Sequence, residues 1–145
     1  MSNSLYERDF YAWANEQAAL LRAGRLDEAE IANIAEELES MGTSEKRELV
    51  SRLSVLLLHV LRWQFQPSRR GTSWRNSIEL QRAEVLDHLG DNPSLKSKLD
   101  DAMTSAYRRA RVDAIDETGL AASAFPADCQ WSYGEIIDET FWPEA

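Results

Sequence analysis

A chain of 145 residues with 43% hydrophobic and 28% charged residues and a net charge of −9 has the composition of an ordinary globular protein, which excludes disordered and membrane-embedded classes. Its size suffices to bury roughly two thirds of the surface of the unfolded chain, and its longest uncharged apolar run, residues 54–61, is far short of the ~20 residues that span a bilayer. The single cysteine, Cys129, excludes an internal disulfide, and with no basic segment followed by an apolar one at the start a cytoplasmic location is expected.

Ser4 with Glu7 three residues later has the form of a capping box. Tyr6, Phe10, Trp13, Leu20 and Leu21 follow at helical spacing, so a first helix is predicted up to Gly24. After Arg25 and Leu26, the segment DEAEIANIAEELESM places acids in its first turn and Ile31, Ile34, Leu38 and Met41 on one face, which predicts a second helix ending at Gly42. Thr43 or Ser44 then caps a third helix that runs to about Gln66, because Pro67 disfavours helical geometry in the residue before it. In this helix Leu49, Leu53, Leu56, Val60 and Trp63 form a stripe, and Val55, Leu58 and Leu61 widen it, so the helix is expected at the centre of the fold.

Ser73 is expected to cap a fourth helix carrying Trp74, Ile78, Val85 and Leu89 and stopping at Gly90. Asn92 and Pro93 open a fifth, through Leu95, Leu99, Met103, Tyr107 and Ala110 to Gly119. The segment GLAASAFPADCQW reads as an irregular strap, and Ser132 with Glu135 caps a last short helix. No stretch alternates as a strand does, and no repeat is present. The expected fold is all-α: one domain over residues 1–145, a helical bundle of about five principal helices with a short C-terminal helix and strap.

Most generic chemistries fail on residue type. A carboxylate-bridged di-metal bundle needs Glu-x-x-His pairs, but Leu56 and Val85 stand three residues before His59 and His88. Two separated histidines and one cysteine do not make a zinc site, and phosphate-loop and nucleophile-elbow motifs are absent. No metal and no cofactor are expected, and the acidic residues of the second helix read as a solvated face.

One pair remains. Arg52 and His59 stand two helical turns apart and project from nearly the same side. Their spacing resembles the Arg-x(4–6)-His signature of the HEPN ribonucleases, helical enzymes that act on RNA without a metal. What the resemblance implies is an arginine that stabilises phosphate charge and a histidine that moves a proton. The competing expectation is a partly buried Arg52 paired with a glutamate of the second helix and a His59 hydrogen-bonded inside the core.

Charge is unevenly spread. Residues 43–82 hold eight basic residues against three acids, whereas the rest holds eight against 22. The stretch HVLRWQFQPSRRGTSWR concentrates Arg62, Trp63, Arg69, Arg70, Trp74 and Arg75 at the turn between the third and fourth helices. Arginines among aromatics can hold phosphates and stack bases, but the acidic majority repels a polyanion. The favoured expectation is structural: these arginines answer acids of their own chain, and nucleic acid is the lesser alternative.

The blocks LYERDFYAWANEQAALLRAGRLDEAEIANIAEELESMG, SEKRELVSRLSVLLLHVLRWQFQP, SWR, FPADCQW and FWPE together resemble the bacterial domain-of-unknown-function family twenty-nine, across nearly the whole chain. The resemblance implies a short helical bacterial protein; that family carries no assigned activity or site residues. Combined with the missing catalytic motifs and with Tyr11, Phe141 and Trp142 expected at the surface, the preferred function is a non-enzymatic module that binds a protein partner or a second copy of itself. Membrane contact is not expected.

Overall fold

The computed structural model describes residues 4–144, and helices are the only regular secondary structure among them. Six α-helices occur in chain order: α1 (Leu5–Arg8), α2 (Phe10–Arg22), α3 (Ile31–Phe65), α4 (Thr72–Asp91), α5 (Leu99–Thr118) and α6 (Tyr133–Ile137), with short 3-10 turns at Pro67–Arg69, Pro93–Lys98 and Ala122–Ala124. The all-α expectation holds. The chain divides into two compact units, one ending at Ser44 and the other starting at Glu45.

The first unit is a small helical assembly locked by polar contacts. Its first predicted helix is interrupted at Asp9, whose side chain accepts from the Ala12 amide at 3.1 Å and so caps α2 in place of Ser4. Helix α2 ends in a Schellman motif: the Arg25 amide donates to the Leu20 oxygen and the Gly24 amide to the Leu21 oxygen, with Gly24 at φ 73°. Only glycine adopts that conformation without strain. Glu30 then joins α2 to the start of α3. Its Oε2 accepts from Trp13 Nε1 at 3.0 Å and from Gln17 Nε2 at 3.1 Å, while its amide donates to Gln17 Oε1 at 2.7 Å. Trp13 and Gln17 are the buried residues here, and the rings of Tyr6, Phe10 and Trp13 cluster around them.

The predicted break at Gly42 does not occur: α3 is one helix of 35 residues. Gly42 costs only about 1 kcal/mol against alanine in a helix interior, whereas a break leaves orphan amides and carbonyls on both sides. Ser44, expected as a cap, instead donates its hydroxyl to the Ser40 oxygen at 3.1 Å in the manner of an interior serine.

The second unit holds the main core. Leu49, Leu53, Leu56, Leu57, Val60, Leu61 and Trp63 of α3 are buried against Ile78, Val85 and Leu89 of α4 and Met103, Ala106, Tyr107, Ala110 and Ala114 of α5. Full burial of each large aliphatic side chain contributes about 1.5–3 kcal/mol. Ala102, Ala106, Ala110 and Ala114 form the small-residue part of the buried face of α5. The fifth helix begins with a 3-10 stretch after Pro93 instead of a regular first turn, and it ends as predicted at Gly119, in the left-handed conformation at φ 72°. The strap returns across the bundle: Phe125 meets Phe65 edge to face at 5.0 Å, and the Ser132–Glu135 capping box forms and starts α6 with Ile136 fully buried. No helix among the described residues is long and apolar enough to cross a membrane.

Candidate functional site

Each sequence-predicted residue of the α3–α4 turn has a defined place in the second unit. Trp63 is buried and forms the floor of a stack with Trp142, ring centroids 4.8 Å apart. Arg75 lies over Trp142 at 4.2 Å and over Trp63 at 5.5 Å, and Arg70 lies over Trp63 at 5.2 Å. Arg62 covers Trp74 at 4.6 Å and reaches Glu117 of α5 at 3.4 Å. Arg69 is exposed and stands outside the stack.

Arg70 and Arg82 bind the chain's own tail. Arg70 donates from Nε to the Trp63 oxygen at 2.7 Å, from Nη2 to the Gln64 and Pro143 oxygens at 3.4 Å each, and pairs through Nη1 with Glu144 at 3.0 Å. Arg82, absent from the predicted set, is 3% exposed and donates from Nε to the Ile136 oxygen at 2.8 Å and from Nη2 to the Phe141 oxygen at 2.6 Å. Burial pushes its guanidinium down from the ordinary arginine value, against the opposing pull of Asp138, Glu79 and Glu139. Its Nη1 and Trp63 Nε1 are buried without an acceptor among the described residues. Phe141 and Trp142, expected at the surface, are half-buried and pack on the core. The reason is this arginine clasp, which turns the tail inward.

Arg52 and His59 do not share a partner. Arg52 Nη1 donates to Glu84 of α4 at 2.8 Å, and its Nε lies 2.9 Å from Glu48 one turn earlier. Its carboxylate partners therefore come from α3 itself and α4, and not from the segment predicted as the second helix. His59 is half-buried, and the hydrogen bond expected of it is not made: none engages its ring among the described residues. Burial pushes its imidazole below the ordinary value, Arg62 pushes it further, and Glu117 opposes both.

A groove of about 460 Å³ lies between α5 and the strap, with Met103, Tyr107, Arg108, Cys129, Trp131 and Tyr133 among its walls. The Cys129 thiol donates to the Trp131 oxygen at 3.4 Å, and burial raises it above the ordinary thiol value, the reverse of what activates a nucleophile. Arg111 and Tyr107 spend their donors on strap carbonyls, Tyr107 on Pro126 at 2.6 Å. No group of three or more His, Cys, Asp or Glu residues placed to hold a metal occurs among the described residues.

The first unit differs in kind. Of the face predicted from Ile31, Ile34, Leu38 and Met41, Ile34 is half-buried, whereas Ile31, Leu38 and Met41 are 53%, 62% and 64% exposed. At 100° per residue they fall within about 80° of arc on α3. On α2, Phe10, Tyr11 and Leu21 are exposed as well. This apolar stripe is legible in the sequence as a helix face; the exposure of Ile31, Leu38 and Met41 on it is not.

Neither a curated protein nor a solved structure matches the chain. A family match extends over residues 5–142, nearly the whole length, and by it the chain belongs to the family described as Domain of unknown function DUF29.

Proposed function

We propose that this protein is a non-enzymatic interaction module of the bacterial cytoplasm, acting through its first unit on another macromolecule. The observation that carries the reading is the uncovered stripe of Ile31, Leu38 and Met41. Contiguous exposed apolar surface on an otherwise polar protein marks interaction sites, and the unit that bears it buries little of its own, Trp13 and Gln17. The residues with catalytic potential favour the same reading: Arg52 is bracketed by Glu48 and Glu84, and Arg70 of the α3–α4 turn, with Arg82 of α4, holds the tail.

Sedimentation of the purified protein, with cross-linking capture from the native host, tests the proposal. A reproducible assembly or partner that Leu38→Ser abolishes is the expected result. A strictly monomeric profile with no reproducible partner overturns it. Incubation of wild type, Arg52→Ala and His59→Ala with total RNA is expected to leave the RNA intact in all three; cleavage lost in both variants replaces the module with a ribonuclease.

A further inference from the structure

The kind of partner follows from the charge around the stripe. We infer that Ile31, Leu38 and Met41 form a docking ridge for a basic amphipathic helix of another protein, an inference that rests on the interaction reading above. The three residues are spaced seven and three apart, which places them along about 15 Å of one helix face. That length matches two to three turns of a second helix lying alongside. The spacing selects a helix over an extended peptide, whose side chains repeat at about 7 Å on one face.

Charge selects the sign. The chain up to Ser44 carries nine acidic residues and three basic ones, and one of the three, Arg25, is already paired with Glu28. Glu39 borders the stripe on one side and Glu37 on the other; Glu39 is exposed and forms no ion pair among the described residues. Two copies meeting through this face would bring like charges together, and a nucleic acid or acidic surface would be repelled. A helix with leucine-like residues on one side and Lys or Arg on its flanks satisfies both the apolar ridge and its acidic borders. Arginine and lysine flanks also lay their alkyl stems along apolar surface, extending the covered area.

Titration of the full chain with three synthetic peptides tests the inference. One is a Leu/Lys amphipathic helix, one has Glu in place of Lys, and one is a scramble of the first that breaks its helical spacing. The expected result is binding of the Leu/Lys helix at least tenfold tighter than either control, with amide shifts concentrated at residues 31–41. A triple change, Ile31→Ser with Leu38→Ser and Met41→Ser, is expected to weaken binding at least tenfold, while Leu80→Ser with Leu86→Ser on α4 leaves it unaltered. Equal binding of the scramble, or shifts centred elsewhere, overturns the inference. Self-association abolished by the triple change, without peptide selectivity, also overturns it but keeps the interaction module, with a second copy as the occupant. Absence of peptide binding, self-association and any captured partner removes both.

Discussion

Arg82 donates through Nε to the main-chain oxygen of Ile136 at 2.8 Å, fixing the end of α6 against α4 from a fully enclosed position. A second bond, from Nη2 to Phe141 at 2.6 Å, holds the tail beyond it. Hydrogen bonds from charged donors contribute about 1.5–3 kcal/mol each. Arg82→Leu is therefore expected to lower unfolding stability by about 3 kcal/mol in urea titration and to speed proteolytic cutting within residues 138–144. A loss below about 1 kcal/mol, within the range of a single neutral hydrogen bond, with no change in cutting, would sink the clasp.

His59 gives a pH signature. Its folded-state value lies below 6.5, chiefly through burial and secondly through Arg62. Because the unfolded chain then binds the proton more readily, His59 contributes stability above about 6.5 that is lost as pH falls through the folded value. The imidazole midpoint followed by NMR is expected to rise in Arg62→Gln and to fall further in Glu117→Gln. Opposite movements would show that the two charges lie elsewhere.

Tyr6 behaves in the opposite direction. Its hydroxyl donates to Glu37 at 2.5 Å, and this bond, aided by lost hydration and the charge of Glu36, pushes the phenol up to about 12. The folded state retains the proton longer than the unfolded one, so this contribution is complete below about 10 and disappears between about 10 and about 12. Glu37→Gln is expected to return the Tyr6 phenolate absorbance transition towards about 10. An unchanged transition would remove the Tyr6–Glu37 bond from the first unit.

The glycines separate a helix interior from a helix end. A Cβ at Gly42 meets nothing within 4 Å and the residue has no positive φ, so Gly42→Ala is expected to stabilise by about 0.5–1 kcal/mol. Gly24→Ala, at φ 73°, is expected to destabilise by about 1 kcal/mol through left-handed strain. Thermal unfolding of both variants checks the pair; destabilisation by Gly42→Ala would restore the predicted break there.

Much of the second unit was legible from spacing. Leu49, Leu53, Leu56, Val60 and Trp63 read as one stripe and are all buried, and the Ser132–Glu135 cap forms as its residue types predict. Arg82 could have been found, since it falls between Ile78 and Val85 on the apolar face of α4, where a charge must acquire partners. What it would bind was not legible, because its acceptors are main-chain oxygens more than fifty residues later, and every residue type offers one. The break at Gly42 was misjudged for a local reason: glycine ends a helix only where the chain turns left-handed, as at Gly24 and Gly119, and composition does not record φ. Exposure of Ile31, Leu38 and Met41 lay beyond periodicity, which identifies a face but not its cover.

The contact between Trp63 and Trp142 also gives the molecule an optical property. Two indoles with centroids 4.8 Å apart and planes inclined by 51° are close enough to couple their transition dipoles, and a paired positive and negative band in circular dichroism is the expected result. One indole belongs to α3 and the other to the tail, so the band pair exists only while the tail is seated. Detachment of the last few residues can thus be followed without any label, independently of global unfolding.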